Sequence, residues 1–533
     1  MNKTNIKLII ENNRKILSVL SLIIGTFIFI NVSEDLGFIN VLNIYNISII
    51  LIISILCLIP EYKIEELKLL TYWFSVGLVI LSTIFTFMYN GFSQVEKVNT
   101  YLNSEYLYTN ILNINIGYGV DGISMIFIWL TTILIMSCIL ISWNVIKTDI
   151  KFYLVNLLII ELLLINFFVV MDLVHFYIIY ESILIPIVIM ISMWGSREEK
   201  KLAAYQIFVY TLIGSIFMLA SIGYLYYSLG TTDYFLIKEL LPLIPEFMQK
   251  LIFLGFFIGF AVKIPIVPLH LWLLRAHVEA PTAGSVLLAG ILLKLGGYGF
   301  LRFNIGLLPE MCTYFFPLIV GLSLISILYT GIATVMQLDV KRIIAYSSIS
   351  HMNVVVLGLF SQVLQGIEGG IYLMVSHGLV SGGLFLCIGV LYEQYKSRLL
   401  YSYNNVVHVM PIFAIIFFIL TLANIAFPIT SSFIGELLIF CGIIKKNIVV
   451  AFFGALGMIV TVIYSFWLYN RIFFDNGMLT SSVKYFNKSG EKYRDINNRE
   501  LLSIGIMILF VFIFGIKPNL ILNLIENNSI NLI

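Results

Sequence analysis

Residues 122–143, GISMIFIWLTTILIMSCILISW, form an unbroken run of 22 residues without a charged side chain. A transmembrane helix needs about 20 mostly apolar residues to cross the ~30 Å hydrocarbon core of a bilayer. Apolar and polar residues do not alternate in this run, so a membrane β-strand is not indicated. The stretch therefore predicts one transmembrane α-helix.

The rest of the chain contains fourteen more runs of this kind, each bounded by charged residues or by Pro and Gly clusters. The sequence thus predicts an all-α polytopic membrane protein with about 15 transmembrane helices. The fifteen runs cover residues 16–32, 44–59, 69–89, 118–143, 152–171, 173–193, 203–229, 251–268, 282–301, 316–337, 342–360, 369–392, 410–441, 448–473 and 501–517.

Composition supports a membrane protein. Hydrophobic residues make up 60% of the 533 residues, and charged residues only 11%. A typical soluble domain has about 25% charged residues, and this chain has too few polar side chains to cover a soluble surface. The net charge of +2 also excludes the basic field that nucleic-acid binding requires.

Lysine and arginine are distributed unequally between the two sides of the predicted bundle. With the amino terminus on the first side, the alternating loops place 22 of them there and 7 on the other side, and Lys263 and Lys294 in spans complete the 31. Positive loops stay on the cytoplasmic or matrix side of a membrane. The amino terminus is therefore expected on that side and the carboxyl terminus opposite.

Seven ionisable residues lie more than one helical turn inside predicted spans, where each charge costs about 2.5–3.5 kcal/mol on insertion scales. A chain of carboxylates, amines and imidazoles near the membrane midplane is what a proton relay requires. A structural pairing role competes evenly with a functional one for Glu161 and His377, whereas function is favoured for Glu181, Lys263 and Lys294. The seven are Glu161, Glu181, Lys263, Lys294, His351, His377 and Glu436.

Prolines interrupt two of the predicted spans. Residues 263–268, KIPIVP, follow one helix, and Phe427-Pro428 precede Glu436 in another. Because proline removes an intrahelical hydrogen bond, such breaks at membrane depth must be buried in protein or line a polar cavity. Discontinuous helices with a nearby charge are typical of transporters, and Lys263 and Glu436 would occupy equivalent positions if the chain contains inverted repeats.

Cofactor sites are not indicated. The five cysteines form no CxxC pair, and neither an HExxH motif nor a phosphate-binding loop occurs. No two histidines share a helix at a spacing that would hold haems, and His270 and His277 are expected in a loop. The sequence therefore predicts that this chain binds no metal or cofactor.

Six segments together make the sequence recognisable, and they extend through about residues 118–441. In this order and length they resemble the subunit 4 family of proton-pumping NADH:ubiquinone oxidoreductase (complex I), one of the antiporter-like families of that complex. The segments are GVDGIS (119–124), FYIIYESILIPIVIMISMWG (176–195), VPLHLWLLRAHVEAPTAGSVLLAGILLKLGGYGFLR (267–302), QLDVKRIIAYSSISHMN (337–353), MVSHGLVSGGLFLCIG (374–389) and ITSSFIGELL (429–438).

The resemblance implies fourteen core helices with two inverted five-helix repeats, and half-channels that meet on a central polar axis. It implies that Glu181 partners the broken-helix Lys263, that Lys294 follows on the axis, and that His351 bridges to the terminal acid Glu436. The sister antiporter-like families usually have lysine at the last position, so glutamate favours subunit 4.

The chain departs from the family at two places. Three spans precede GVDGIS where two are usual, so residues 1–60 are expected to include an added helix, and Leu274 replaces the usual proline of the WLPxAHVEAP segment. We therefore divide the chain into amino-terminal helices (1–117), an antiporter-like core (118–441), and carboxyl-terminal helices (442–533). The last part includes a polar loop on the positive side, expected to contact neighbouring subunits.

The resemblance implies a proton-translocating membrane-arm subunit that performs no redox chemistry itself. NADH, FMN, iron–sulfur clusters and ubiquinone are then expected on other subunits, and the partners are the neighbouring antiporter-like subunits and lipids. Two alternatives are a stand-alone monovalent cation/proton antiporter and a structural scaffold with buried charges as locks. Richness in Ile, Asn, Tyr, Phe and Lys and no transit peptide favour a mitochondrial inner membrane over a bacterial plasma membrane.

Overall fold

A computed structural model describes residues 38–89, 117–403, 405–474 and 494–530. Within these ranges the chain is a bundle of helices without a β-strand. Eleven helices in the described ranges are long and apolar enough to cross a membrane, and two shorter apolar helices accompany them. The predicted all-α polytopic fold is confirmed.

The helices are numbered here in chain order. Short helices at Tyr234–Leu240 and Val406–Val409 lie in connections and are left unnumbered. The numbered helices are α1 (Phe38–Leu58), α2 (Ile64–Tyr89), α3 (Gly122–Val145), α4 (Ile150–Phe167), α5 (Leu173–Trp194), α6 (Lys200–Leu229), α7 (Glu246–Lys263), α8 (Leu271–Glu279), α9 (Thr282–Ile305), α10 (Pro309–Val335), α11 (Val340–Leu359), α12 (Leu364–Tyr395), α13 (Pro411–Asn424), α14 (Ser431–Lys446), α15 (Ile448–Phe473), α16 (Asn498–Ile516) and α17 (Asn519–Ile530).

Fourteen of the predicted spans fall in the described ranges, and each coincides with a helix or with a pair of helices separated by a break. The predicted span 16–32, and with it the added amino-terminal helix, lies outside the described residues. Two helices, α1 and α2, precede α3 within the described part of the chain.

Two helices are broken where the prolines predicted it. Helix α7 ends at Lys263, and α8 begins at Leu271 after the segment that contains Pro265 and Pro268. Helix α13 ends at Asn424, and α14 begins at Ser431 after Pro428. The expectation of a loop holds for His270, which lies in the turn before α8, but was wrong for His277, because α8 continues through Leu274 and places His277 inside the bundle.

Helices α3, α9 and α12 form the centre of the bundle, since the apolar part of each is completely buried. Such helices are apolar on every side because protein surrounds them. Helices α6, α15 and α16 lie further out, since 39% or less of the apolar part of each is buried. The central helices carry Lys294 and His377, so these two residues are placed far from the lipid-facing surface.

An ion pair between Asp121 and Arg302 connects α3 and α9 at one end of the bundle. Asp121 caps α3 by accepting a hydrogen bond from the Ser124 backbone at 2.8 Å, and its carboxylate also pairs with Arg302 at the end of α9. Arg302 in turn donates to the hydroxyl of Tyr298 at 3.1 Å. The aspartate of the GVDGIS segment therefore joins two helices as well as capping one.

Candidate functional site

Lys294 lies at the centre of α9 and is fully buried. It is flanked by two π-helical stretches, Leu288–Leu292 and Phe300–Ile305, and its Nζ donates to the carbonyl of Ala289. Because a π-helical turn shifts the backbone hydrogen-bonding pattern, it makes a main-chain carbonyl available to a side chain, and such turns are frequent at functional sites. The backbone itself thus provides one partner for this buried amine.

His377 of α12 provides the other partner, since its Nδ1 lies 2.8 Å from Nζ of Lys294. The imidazole is buried, and its ring centroid lies 5.8 Å from that of His351 on α11. From the sequence, His377 was only a further candidate, with His351 expected to follow Lys294. In the structure His377 lies between the two.

His351 connects this pair to Glu436 on α14. Its Nδ1 lies 3.2 Å from Oε1 of Glu436, and both side chains are buried. The structure therefore brings together Lys294, His377, His351 and Glu436 as a series of neighbouring ionisable groups from α9 to α14, in which His377 and His351 are neighbours without a direct hydrogen bond. We call this series the central relay.

Glycines allow the helices of the central relay to approach closely. A Cβ atom at Gly435, one residue before Glu436, would lie 2.9 Å from the backbone nitrogen of Leu373 on α12. A Cβ atom at Gly296, two residues after Lys294, would lie 2.9 Å from the carbonyl oxygen of Phe260 on α7. Small residues at the interfaces between membrane helices allow the backbones to approach closely.

Lys263 is the last residue of α7 and is buried. Its Nζ lies 4.2 Å from the centroid of the Tyr180 ring, a distance at which the aromatic face attracts a cation. The Tyr180 hydroxyl donates to the carbonyl of Gly259 at 2.9 Å and so fixes the ring against α7. The carboxyl-terminal end of a helix also favours a positive charge.

Glu181 does not form the expected ion pair in this conformation. No Lys263–Glu181 contact within 4.0 Å exists, although Glu181 follows Tyr180 directly and its Oε1 is buried without a hydrogen-bond partner. The predicted pair is therefore open here, with the tyrosine ring in the position next to the amine.

Glu161 lies on α4, separate from the central relay. Its side chain is fully buried, and neither carboxylate oxygen has a hydrogen-bond partner among the described residues. The structure thus gives no partner that would support the structural pairing considered for Glu161.

Sequence reasoning missed three residues. Tyr180 was not singled out, although it precedes Glu181 in the IYES segment. His277 was placed in a loop, and Lys341 was counted as a loop lysine, yet both side chains are buried in the bundle. Lys341 is part of DVKR, a sequence that resembles an ordinary positive loop, so no local signal distinguished it.

The described residues contain no group of three or more His, Cys, Asp or Glu side chains positioned to hold a metal ion. The free cysteines of the described ranges, of which Cys138, Cys312 and Cys387 are buried, form no disulfide.

Comparison with known proteins identifies the class of membrane protein to which the chain belongs. Residues 170–464, more than half of the chain, match the family model described as "NADH:quinone oxidoreductase/Mrp antiporter, TM". The chain also superposes on a chain of respiratory complex I from Thermus thermophilus with a TM-score of 0.78 and 26% identity, covering 92% of this chain and 99% of that one. A chain of the Mrp complex from Dietzia has the same fold, with a TM-score of 0.79, at 17% identity, and covers 92% of this chain and 97% of that one.

The sequence relatives are more specific. NADH-ubiquinone oxidoreductase chain 4 of Dictyostelium discoideum is 56% identical over 530 residues, covering 91% of this chain and 98% of its own. The protein of the same name from Chondrus crispus is 45% identical over 502 residues, covering 94% and 99%. The chain belongs to the NADH-ubiquinone oxidoreductase chain 4 family.

Proposed function

We propose that this chain is a proton-translocating subunit in the membrane arm of respiratory complex I. In that role it couples NADH:ubiquinone electron transfer to proton pumping, while NADH, FMN, iron–sulfur clusters and ubiquinone bind to other subunits. Family membership supports the assignment to the complex. The observation that supports proton transfer within this chain is the central relay, in which Lys294, His377, His351 and Glu436 lie next to one another in the buried part of the bundle.

The central relay has the chemistry of a proton path. Lys294 in its ammonium form can donate to Nδ1 of His377, and an imidazole that accepts a proton on one nitrogen can release another from its second nitrogen. The centroids of the His377 and His351 rings lie 5.8 Å apart and Nε2 of His351 is buried without a hydrogen-bond partner, so a water molecule would carry the proton from His377 to Nε2 of His351, whose Nδ1 passes one to the Glu436 carboxylate. One proton leaving Lys294 is thus matched by one proton reaching Glu436, and Lys294 is left as a neutral amine.

Lys263 and Glu181 would control this path electrostatically. When the carboxylate approaches the ammonium, the pair is stabilised and Lys263 keeps its proton; when the carboxylate withdraws, the buried charge loses its partner and the proton is released more easily. The arrangement with Tyr180 beside the amine corresponds to the withdrawn state. A charge shift in a neighbouring subunit would bias this two-state pair and couple distant sites.

Two alternatives predict different results. A stand-alone cation/proton antiporter is not favoured, because the relatives at 45–56% identity are named as chains of NADH-ubiquinone oxidoreductase, whereas the Mrp likeness at 17% identity shows the fold alone. A structural scaffold, with buried charges acting only as locks, predicts that neutral replacements impair assembly rather than pumping.

The decisive experiment measures the ratio of protons pumped to electrons transferred in sealed membrane vesicles with Lys263→Ala or Glu181→Gln. We expect the complex to assemble, as judged by NADH oxidation with an artificial acceptor, and coupled pumping to fall at least about tenfold. A normal ratio in both variants would overturn the proposed function, and failure to assemble would favour the scaffold.

We place this multi-pass protein in the mitochondrial inner membrane, with the amino terminus on the matrix side, beside other antiporter-like subunits. The unequal distribution of lysine and arginine supports this orientation. The division into 1–117, 118–441 and 442–533 stays a prediction. Protease accessibility of intact and permeabilised mitochondria, read with an antibody against residues 474–500, would test the side on which that polar loop lies.

A further inference from the structure

The carboxyl-terminal end of α8, residues 276–279, is buried in the bundle. The last four carbonyl groups of an α-helix have no partner within the helix, and a buried polar group without a hydrogen bond is costly. Helix α8 follows the break after Lys263, and residues 280–281 join it to α9, which carries Lys294. The contacts that hold this helix end therefore affect the placement of both lysines.

Each of the last four carbonyl groups of α8 accepts a hydrogen bond. Three of the four donors belong to other parts of the chain, namely α9, the connection between α5 and α6, and the connection after α12. For the carbonyls of Ala276, His277, Val278 and Glu279, the donors are in turn the backbone nitrogen of Ala280 (2.9 Å), Oγ of Ser285 (3.2 Å), the guanidinium of Arg398, and the backbone nitrogen of Ser196 (3.1 Å).

Two buried cations hold this end of α8. Nζ of Lys341, in the first turn of α11, donates to the carbonyl of Ala280 at 2.9 Å and to Oγ of Ser285 at 3.2 Å. The guanidinium of Arg398 also donates to Oγ of Ser196. Lys341 is 1% exposed and Arg398 2%. A positive charge is favoured here because the carbonyl dipoles make the carboxyl-terminal end of a helix negative. We call Lys341, Arg398, Ser196 and Ser285 the α8 socket.

The two cations of the α8 socket stand on connected backbone. The start of α11 and the segment after α12 are joined by two backbone hydrogen bonds, from the nitrogen of Val340 to the oxygen of Arg398 at 3.0 Å and from the nitrogen of Leu400 to the oxygen of Leu338 at 2.9 Å. The positions of Lys341 and Arg398 relative to each other are therefore fixed by the main chain.

An equivalent backbone bridge lies at the amino-terminal end of α5. The nitrogen of Leu173 donates to the oxygen of Thr232 at 3.0 Å, and the nitrogen of Tyr234 donates to the oxygen of Met171 at 3.1 Å. This pattern places Thr232 and Val174 at the positions that the two cations occupy in the other bridge. Because a bridge of this kind forms with uncharged residues, the cations are explained by what they contact, which is the end of α8.

We propose that Lys341 and Arg398 are positioning residues for proton transfer, which hold the end of α8 through their charge and hydrogen bonds. The inference rests on the proposed function. Loss of either cation leaves a buried carbonyl group unpaired and allows α8 to move between the segments that carry Lys263 and Lys294. Proton transfer depends steeply on such placement, since a displacement of about 1 Å can lower a rate about 100-fold.

The test is the ratio of protons pumped to electrons transferred by the assembled complex in sealed vesicles. Lys341→Met and Arg398→Met remove one cation each, and we expect the ratio to fall about tenfold or more. Lys341→Arg and Arg398→Lys keep the charge and a donor, and should remain within about twofold of the normal ratio. Normal ratios in the methionine variants overturn the positioning role. Because arginine does not release its proton in proteins, a ratio as low in Lys341→Arg as in Lys341→Met also overturns it.

Hydrogen–deuterium exchange of residues 271–281 in the assembled complex is a second measurement that does not depend on removing a cation. Ser285→Ala removes only the hydroxyl, and we expect faster exchange of these amides; unchanged exchange would contradict the α8 socket. The matched control is Lys151→Met, because Nζ of Lys151 donates to the carbonyls of Cys57 and Ile59 at the end of α1. This control should pump at the normal ratio. An equal loss there would assign the effect to general destabilisation.

Failure of this inference can be distinguished from failure of the proposed function. If Lys263→Ala stops pumping while the assembled Lys341→Met and Arg398→Met variants pump normally, the α8 socket is wrong and the proposed function stands. If Lys263→Ala and Glu181→Gln both pump normally, the proposed function itself fails.

Discussion

The side chains of Lys294 and His377 meet at the centre of the bundle, with 2.8 Å between Nζ and Nδ1. Their helices, α9 and α12, are among the most deeply buried of the chain, and 83 residues separate them in sequence. A protonated lysine and a protonated histidine at this distance would repel each other strongly where little water screens them. The pair is therefore expected to hold a single excess proton, on Nζ or on the imidazole, and not two at once.

His377→Phe is expected to interrupt the central relay. Phenylalanine fills a similar volume but has no nitrogen, which leaves Lys294 without a proton acceptor and separates it from His351. The pumped proton-to-electron ratio should fall at least about tenfold, in the range lost when a general acid–base group is removed. A dye assay of vesicle acidification alongside NADH oxidation measures it, and an unchanged ratio would mean that protons bypass His377.

Tyr180 is expected to act on Lys263 through its ring. Tyr180→Leu removes a cation–aromatic contact worth up to about 2 kcal/mol in a desolvated site, whereas Tyr180→Phe keeps the ring and loses only the hydrogen bond to Gly259. Pumping should therefore slow more in the leucine variant than in the phenylalanine variant. Equal pumping rates in the two variants would assign the role of Tyr180 to its hydroxyl or to packing alone.

Asp121 is expected to support assembly and not proton transfer. Asp121→Asn keeps an acceptor for the α3 cap but leaves Arg302 with a neutral partner, and removing one member of a buried pair typically costs about 3–5 kcal/mol. We expect less assembled complex on native gels and a lower thermal midpoint. The complex that does assemble should pump at a normal ratio, and a lowered ratio in that fraction would contradict a purely structural role.

Gly296 is expected to tolerate no side chain. A Cβ there would lie 2.7 Å from Cγ1 of Ile264 and 2.9 Å from the carbonyl oxygen of Phe260, so Gly296→Ala must push α9 away from α7. Overpacking of this kind costs about 1–3 kcal/mol. Gly505→Ala is the matched control, because nothing lies within 4 Å of its added Cβ. Similar thermal stability of the two variants would show that the helices can separate at little cost.

The helices were predictable because each apolar run of about 20 residues has essentially one stable form in a bilayer. The two helix breaks were predictable because proline removes a backbone hydrogen bond and so interrupts a helix. What the sequence did not predict depends on packing between distant segments. The position of His377 between Lys294 and His351, and the burial of Lys341, follow from how α9, α11 and α12 pack, and no local pattern encodes that.

Residues 271–279 show that packing also decides the structure of a short segment. Charged and polar residues such as Arg275, His277 and Glu279 resemble a loop when read as a window of sequence. In the structure they form α8, whose helix hydrogen bonds satisfy the backbone while His277 and Glu279 are buried by neighbouring helices. Hydropathy predicts whether a segment is buried from the polarity of its residues. It fails for α8, whose polar residues are enclosed by neighbouring helices.

The close contact at Gly296 limits how α7 and α9 can move relative to each other. Because the backbones of α7 and α9 touch there, the segments that carry Lys263 and Lys294 cannot slide past each other as pistons. A change of charge at either lysine therefore meets a closely packed backbone. It is accommodated by the movement of a proton or of a side chain such as Glu181, and not by a shift of α7 along α9.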